Sequence, residues 1–110
     1  MFLNDWEEGG KSQMVKDFGI DESSIDGCNI LLASYGYEDY EGDAFVLFEK
    51  DGVLFEVNGS HCSCYDLSED QWQPEETTKA ALQHRIDSGC RSSGNEYKSE
   101  LQQIIYGLVI

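Results

Sequence analysis

The stretch "AFVLFEKDGVLFEVNG", Ala44 to Gly59, decides the fold of this chain. Asp51-Gly52 is a strong two-residue hairpin signal, because both residue types tolerate the positive φ of a type I′ turn. The runs on either side are rich in residues that favour strands. The turn predicts a hairpin over 44–58 with these opposed pairs: Lys50 with Val53, Phe48 with Phe55, and Val46 with Val57.

The two faces of this hairpin differ in composition, since successive strand residues point to opposite sides of a sheet. One face is wholly apolar and must be buried: Val46, Phe48, Val53, Phe55 and Val57. The other face is mixed: Phe45, Leu47, Glu49, Leu54 and Glu56. We therefore expect helices to cover the first face.

Shorter patterns supply the remaining elements. The apolar run Cys28–Tyr37 is of strand length, and its central part, residues 30–35, is expected to pair beside the hairpin. Helices are predicted over Lys11–Phe18, ended by Gly19, then from a Thr77 or Thr78 cap to Gly89, and finally after an Asn95 cap. Together, these elements predict an α+β fold, with a small antiparallel sheet of three to four strands and two or three helices packed on one face.

The chain length and the residues at its start limit the class of protein that we expect. The 110 residues suit a single domain, 1–110, in which 1–10 are expected to be poorly ordered and 90–95 form a linker to the last helix. The start has no basic and apolar signal-peptide pattern, and no apolar run approaches the ~20 residues of a membrane span. A cytosolic chain keeps its cysteines reduced, so the four present are read as free thiols or metal ligands.

Charge is the dominant feature of the composition. Twenty-two acidic residues against seven basic ones give a net charge of −15. From Asp17 to Thr78 there are sixteen acids and one base, Lys50. Such a surface disfavours direct contact with nucleic acid or an anionic membrane, and indicates a basic partner. Imitation of a phosphate backbone requires the carboxylates to gather on one part of the surface.

Two acidic runs are candidate partner-binding segments. "YGYEDYEGD", Tyr35 to Asp43, interleaves tyrosines with carboxylates, which suits arginine recognition by ion pairing and stacking. "DLSEDQWQPEE" follows, with Trp72 either as a binding anchor or as a residue packed on the core. For the first run the alternative is a solvated loop whose tyrosines cover the sheet edge. The predicted partner-binding residues are Tyr37, Glu38, Asp39, Tyr40, Glu41, Asp43, Asp66, Glu69 and Asp70.

The stretch "NGSHCSCYDL" places a histidine and two cysteines, Cys62 and Cys64, within four positions. Structural zinc sites usually use C-x₂₋₄-C, whereas this spacing is C-x-C. Zinc bound by Cys62 and Cys64 with Cys90, Cys28 or His61 is one reading, and thiols packed as small apolar groups are the other. An acidic neighbourhood works against a reactive thiolate, so we predict that the protein is not an enzyme and has no catalytic residues.

Three motifs within residues 29–82, "YEDYEG", "VNGSHCSCY" and "QWQPEETT", resemble a family of small acidic proteins of tailed-phage and prophage genomes. The resemblance implies a host bacterial cytoplasm during infection, where small accessory phage proteins often disable host machinery. It implies no catalytic residues.

The leading hypothesis is an anti-CRISPR-like inhibitor of a host nucleic-acid-handling defence complex. It would dock on a basic DNA- or RNA-binding surface, as a nucleic-acid mimic. The alternative is a small zinc-stabilised cytosolic adaptor. A homo-oligomer through the C-terminal helix is a further expectation, because the chain ends with the apolar run "IIYGLVI".

Overall fold

The computed structural model describes residues 2–4, 6–38, 41–62, 72–87 and 98–108. For residues 4, 37, 38, 41–43, 60–62 and 98 it describes the backbone alone. The strands are β1 Phe2–Asn4, β2 Asn29–Glu38, β3 Glu41–Lys50, β4 Val53–Cys62 and β5 Glu75–Thr77. The helices are α1 Gly10–Phe18, a short 3₁₀ helix Glu22–Ile25, α2 Lys79–Asp87 and α3 Lys98–Gly107.

The predicted α+β class is confirmed, but the sheet is larger than expected. It has five strands in the order β1-β2-β3-β4-β5, and it is mixed because β1 runs parallel to β2. The added strands, β1 and β5, are three residues each, which is too short for an alternating pattern to be visible in the sequence. Within the first ten residues, Phe2–Asn4 pairs with β2, and Trp6 is fully buried.

The central hairpin is confirmed in turn and register. Asp51 and Gly52 both have positive φ, 55° and 79°, as a type I′ turn requires. The predicted pairs are present: Lys50 with Val53, Phe48 with Phe55, and Val46 with Val57. The strands run ten residues each, longer than the predicted 44–58 hairpin, and β2 lies beside β3 as expected.

Helices cover both faces of the sheet, which corrects the prediction of one covered face. On one face, residues of α1 and the turn before it pack with alternate strand residues: Trp6, Met14, Val15, Phe18, Ala33, Ala44, Val46, Phe48 and Val57. On the other face, α2 and α3 pack against the intervening strand residues: Leu32, Phe45, Leu47, Leu54, Leu82, Ile86, Leu101 and Ile105.

One of the two charged residues on the second face, Glu56, is neutralised. Arg85 of α2 donates to Glu56 at 2.9 Å, and its guanidinium lies 4.7 Å from the ring centre of Phe45. A paired carboxylate is compatible with partial burial, so Glu56 can lie on the face that α2 and α3 cover.

Helix ends follow the predicted chemistry where the structure describes them. Gly19 ends α1 in the left-handed conformation, at φ 69°. At the start of α2, the Ala81 N–H donates to the Thr78 hydroxyl oxygen at 3.1 Å. The Gly89 helix end, the 90–95 linker and the Asn95 cap lie outside the described residues. No helix in the described ranges is long and apolar enough to cross a bilayer.

Candidate interaction surface

The first acidic run includes the paired ends of β2 and β3, residues 36–38 and 41–43, which we call the tip. The backbone register continues until Glu38 lies opposite Glu41. Only two residues, Asp39 and Tyr40, separate them in sequence, and both lie outside the described residues. Asp43 follows within the same ribbon, opposite Gly36 on one side and Ser60 on the other. Four of the nine predicted residues therefore have described positions in one short ribbon, and these are Tyr37, Glu38, Glu41 and Asp43.

The tip is an end of the sheet at which neither short strand pairs. Among the described side chains, the core clusters include Tyr35 in β2, Ala44 in β3 and Val57 in β4. β2 and β3 each continue for three more residues, which is about 10 Å of strand. Because β1 pairs with Ala33–Tyr35 and β5 pairs with Leu54–Glu56, the described strands at this end are β2, β3 and β4.

The tip register places two residues of like charge, Glu38 and Glu41, at directly opposed positions. Residues of like charge opposed on antiparallel strands are in general destabilising. The one base between Asp17 and Thr78, Lys50, lies at the far end of β3, beside the β3–β4 turn. Two other bases are engaged elsewhere: Arg85 pairs with Glu56, and the Lys79 ammonium donates to the Leu108 carbonyl at 2.7 Å.

The predicted residues of the second acidic run, Asp66, Glu69 and Asp70, lie outside the described residues. The last described residue before them, Cys62, lies opposite Glu41, so the chain leaves β4 at the tip. The next described residue, Trp72, packs near the other end of the sheet.

Trp72 lies on the core, as one of the two sequence readings predicted. Its ring stacks on Phe48 with centroids 6.1 Å apart and meets the edge of Phe18 at 5.1 Å. Trp72 is half-buried against the α1 cluster. These contacts assign it to packing between β3 and α1, and they leave the reading as an exposed binding anchor without support.

The cysteines do not all converge. Cys28 directly precedes Asn29, which pairs with Glu49 near the β3–β4 turn, whereas Cys62 pairs with Glu41 at the tip. The ten residues of β2 separate these ends by about 30 Å, so Cys28 cannot share a metal ion with Cys62. That member of the predicted zinc site is wrong. Cys64 and Cys90 lie outside the described residues, and a site built from them with Cys62 and His61 stays a prediction.

Cys28 itself has the chemistry of a packed thiol. Burial raises the pKa of Cys28, and the neighbouring Asp26 raises it further, while Lys50 and Lys11 act in the opposite direction. The protonated form is therefore favoured, which is the reverse of what a nucleophile needs. The second histidine of the chain, His84, lies on α2 and is exposed.

Further carboxylates surround the β3–β4 turn, and sequence reasoning missed them as a group. Asp26, Asp51 and Glu76 are all exposed there, and Glu76 pairs with Phe55. These three residues are spread over fifty positions of the chain, so they form no local acidic run in the sequence. This turn end also holds Lys50, which offsets part of its negative charge.

No protein-family model, no curated protein and no solved structure matches this chain.

Proposed function

We propose that the protein is a phage-encoded, non-enzymatic inhibitor of a host nucleic-acid-handling defence complex, anti-CRISPR-like, acting in the host bacterial cytoplasm. It docks the tip on the basic surface that otherwise holds DNA or RNA. The observation that carries the proposal is the register that sets Glu38 opposite Glu41 where the paired parts of β2 and β3 end. The net charge of −15 supports the same kind of partner.

The register gives the tip a reason to bind a basic group. Residues of like charge at directly opposed positions of antiparallel strands destabilise a sheet, and an arginine placed between two glutamates would replace that repulsion with charge-assisted hydrogen bonds.

The local charge density supports imitation of a phosphate backbone. Glu38, Glu41 and Asp43 occupy positions on two adjacent strands within a patch of about 10 Å by 10 Å. Duplex DNA carries one phosphate per ~1.7 Å of axis, or roughly one per 110 Å² of its surface. The acidic positions of the tip are therefore about three times as dense as the phosphates of DNA. Fifteen net charges over the whole surface of 6431 Å² are far sparser.

Capture from bacterial lysate tests this function. The tagged protein is expected to retain a basic nucleic-acid-binding protein or nucleoprotein complex at low salt and to release it at high salt, because exposed charges are screened. The identified complex is then assayed for DNA or guide-RNA binding, which the protein should block by competition. Capture of no such partner at low salt, or capture without any effect on nucleic-acid binding, would count against the proposal.

A further inference from the structure

Strand β2 is fixed to the core immediately before the tip. Tyr35 lies one position before residues 36–38, and it is the last β2 residue with which β1 pairs, through Asn4. Its ring stacks on the ring of Trp6, with centroids 5.3 Å apart and an interplanar angle of 30°. Among the described side chains of β2, this stack is the packing contact nearest to the tip in sequence.

Trp6 is itself held from several sides. It is fully buried, and its ring centre lies 5.8 Å from that of Phe18. Its indole N–H donates to one oxygen of the Asp17 carboxylate at 2.7 Å, and the other oxygen accepts from the Gln13 side-chain amide at 2.8 Å. A buried indole with a packed ring and a bonded N–H keeps one orientation. Trp6 therefore gives Tyr35 a rigid surface on which to stack.

A similar stack lies at the opposite end of the sheet. Phe55 of β4 is half-buried, as Tyr35 is, and it stacks on the buried Phe48 with centroids 5.4 Å apart and an interplanar angle of 21°. Phe48 is two residues from Lys50, which closes the β3–β4 turn, so this stack lies away from the tip. The two stacks are alike in geometry, burial and lack of charge, and they differ in the end of the sheet that they hold.

The tip has a physical need for such support. Residues of like charge at opposed positions in general disfavour antiparallel pairing, and Glu38 and Glu41 occupy such positions. A binding segment that is already ordered in the free protein loses less conformational freedom on binding, and so it binds more tightly. One aromatic stack changes an equilibrium constant by about 3- to 10-fold, which is enough to alter the order of a strand end.

We propose that Tyr35, stacked on Trp6, is a positioning residue for the tip. It holds the paired ends of β2 and β3 in register in the free protein, and it thereby raises the affinity of the tip for its basic partner. This inference rests on the proposed function, and it adds an uncharged residue that is not among the predicted partner-binding residues and does not need to touch the partner.

Two backbone amides report on the order of the tip. Along β3 the bonding direction alternates from Lys50, which pairs with Val53 of β4, so the odd-numbered residues of β3 bond to β2. The amides of Asp43 and Gly36 therefore bond across the tip, since these two residues lie opposite each other. The amide of Leu47, in the middle of β3, bonds to β2 in the same way and is the internal reference.

Hydrogen exchange of the free protein tests the positioning directly. In Tyr35→Leu, the amides of Gly36 and Asp43 are expected to exchange about 3- to 10-fold faster relative to the amide of Leu47. Phe55→Leu is the matched control and should leave this ratio unchanged, while Tyr35→Phe, which keeps the ring, should restore the ratio of the unmodified protein. An unchanged ratio in Tyr35→Leu would overturn the inference, and this result needs no partner.

Affinity for the partner captured from lysate tests the functional consequence. Tyr35→Leu is expected to bind about 3- to 10-fold more weakly than the unmodified protein, whereas Tyr35→Phe and Phe55→Leu should bind as the unmodified protein does, because none of these variants alters charge. Equal affinity of Tyr35→Leu and the unmodified protein would overturn the inference and leave the tip as the binding surface. Capture of no basic partner would count against the proposed function instead, and the exchange ratio would still decide the positioning.

Discussion

Glu38 and Glu41 lie directly opposite each other where β2 and β3 meet, in a chain whose nearest base in sequence is Lys50 at the far end of β3. Most of a small domain is locally consistent, and a like-charge pair in a sheet is an exception that needs an explanation. Recognition of a basic partner supplies one, because the pair is unfavourable only while the tip is free.

Removal of one member of this pair should stabilise the free protein. Glu41→Gln is expected to raise the free energy of unfolding by about 0.2–1 kcal/mol, the usual size of a cross-strand charge effect, and the gain should shrink in high salt. Urea unfolding at two salt concentrations measures both effects. Glu76→Gln, opposite the neutral Phe55, is the control and should change stability less. Destabilisation by Glu41→Gln would show that the tip carboxylate has a favourable internal partner.

Trp72 should behave as a packing residue. Trp72→Ala removes its contacts with Phe18 and Phe48 and is expected to lower the free energy of unfolding by about 2–3 kcal/mol, less than for a fully buried tryptophan because Trp72 is half-buried. Trp72→Phe should recover most of the loss. The opposite pattern, loss of partner binding with unchanged stability in Trp72→Ala, would restore its reading as a binding anchor.

Because the pKa of Cys28 is raised in the folded protein, we expect the free energy of unfolding to decline in alkaline solution. Its pKa is raised in the folded state by burial, so the thiol is protonated in both states below its ordinary pKa and contributes no pH dependence there. Above the ordinary pKa the unfolded chain releases the proton first, and the free energy of unfolding falls as pH rises towards the folded-state pKa. Cys28→Ala should flatten the slope measured by urea unfolding between neutral and alkaline pH. An unchanged slope would contradict the assignment.

The zinc alternative now makes a discriminating prediction. If the protein binds zinc through the tip segment, Cys62→Ala and Cys64→Ala should lower the zinc content found by elemental analysis, while Cys28→Ala leaves it unchanged, because Cys28 lies about 30 Å from Cys62. Less than about half an equivalent of zinc in the unmodified protein, with folding indifferent to a chelator, would remove the alternative altogether.

Local signals made part of the fold predictable. The Asp51-Gly52 turn and the alternating residues around it determine the central hairpin, because turn geometry sets register without help from distant parts of the chain. The Gly19 and Thr78 helix ends depend on equally local chemistry.

Non-local contacts made the rest unpredictable. β1 finds its partner about thirty residues away in Ala33–Tyr35, and nothing in three residues of sequence specifies a parallel pairing. On the second covered face, the partner of Glu56 is Arg85, which lies 29 positions away in the sequence. The acidic run around Glu41 marked the candidate surface, but only the register revealed the opposed pair and the distance between Cys28 and Cys62.

The most direct test of the account compares two triple variants that change net charge equally. Glu38→Gln with Glu41→Gln and Asp43→Asn alters the tip, whereas Asp26→Asn with Asp51→Asn and Glu76→Gln alters the β3–β4 turn end. Affinity for the captured partner is measured for both at low salt. The account predicts that the tip variant loses at least ~10-fold in affinity and the turn-end variant loses much less. Equal losses would mean that only total charge matters, and would contradict a binding surface at the tip.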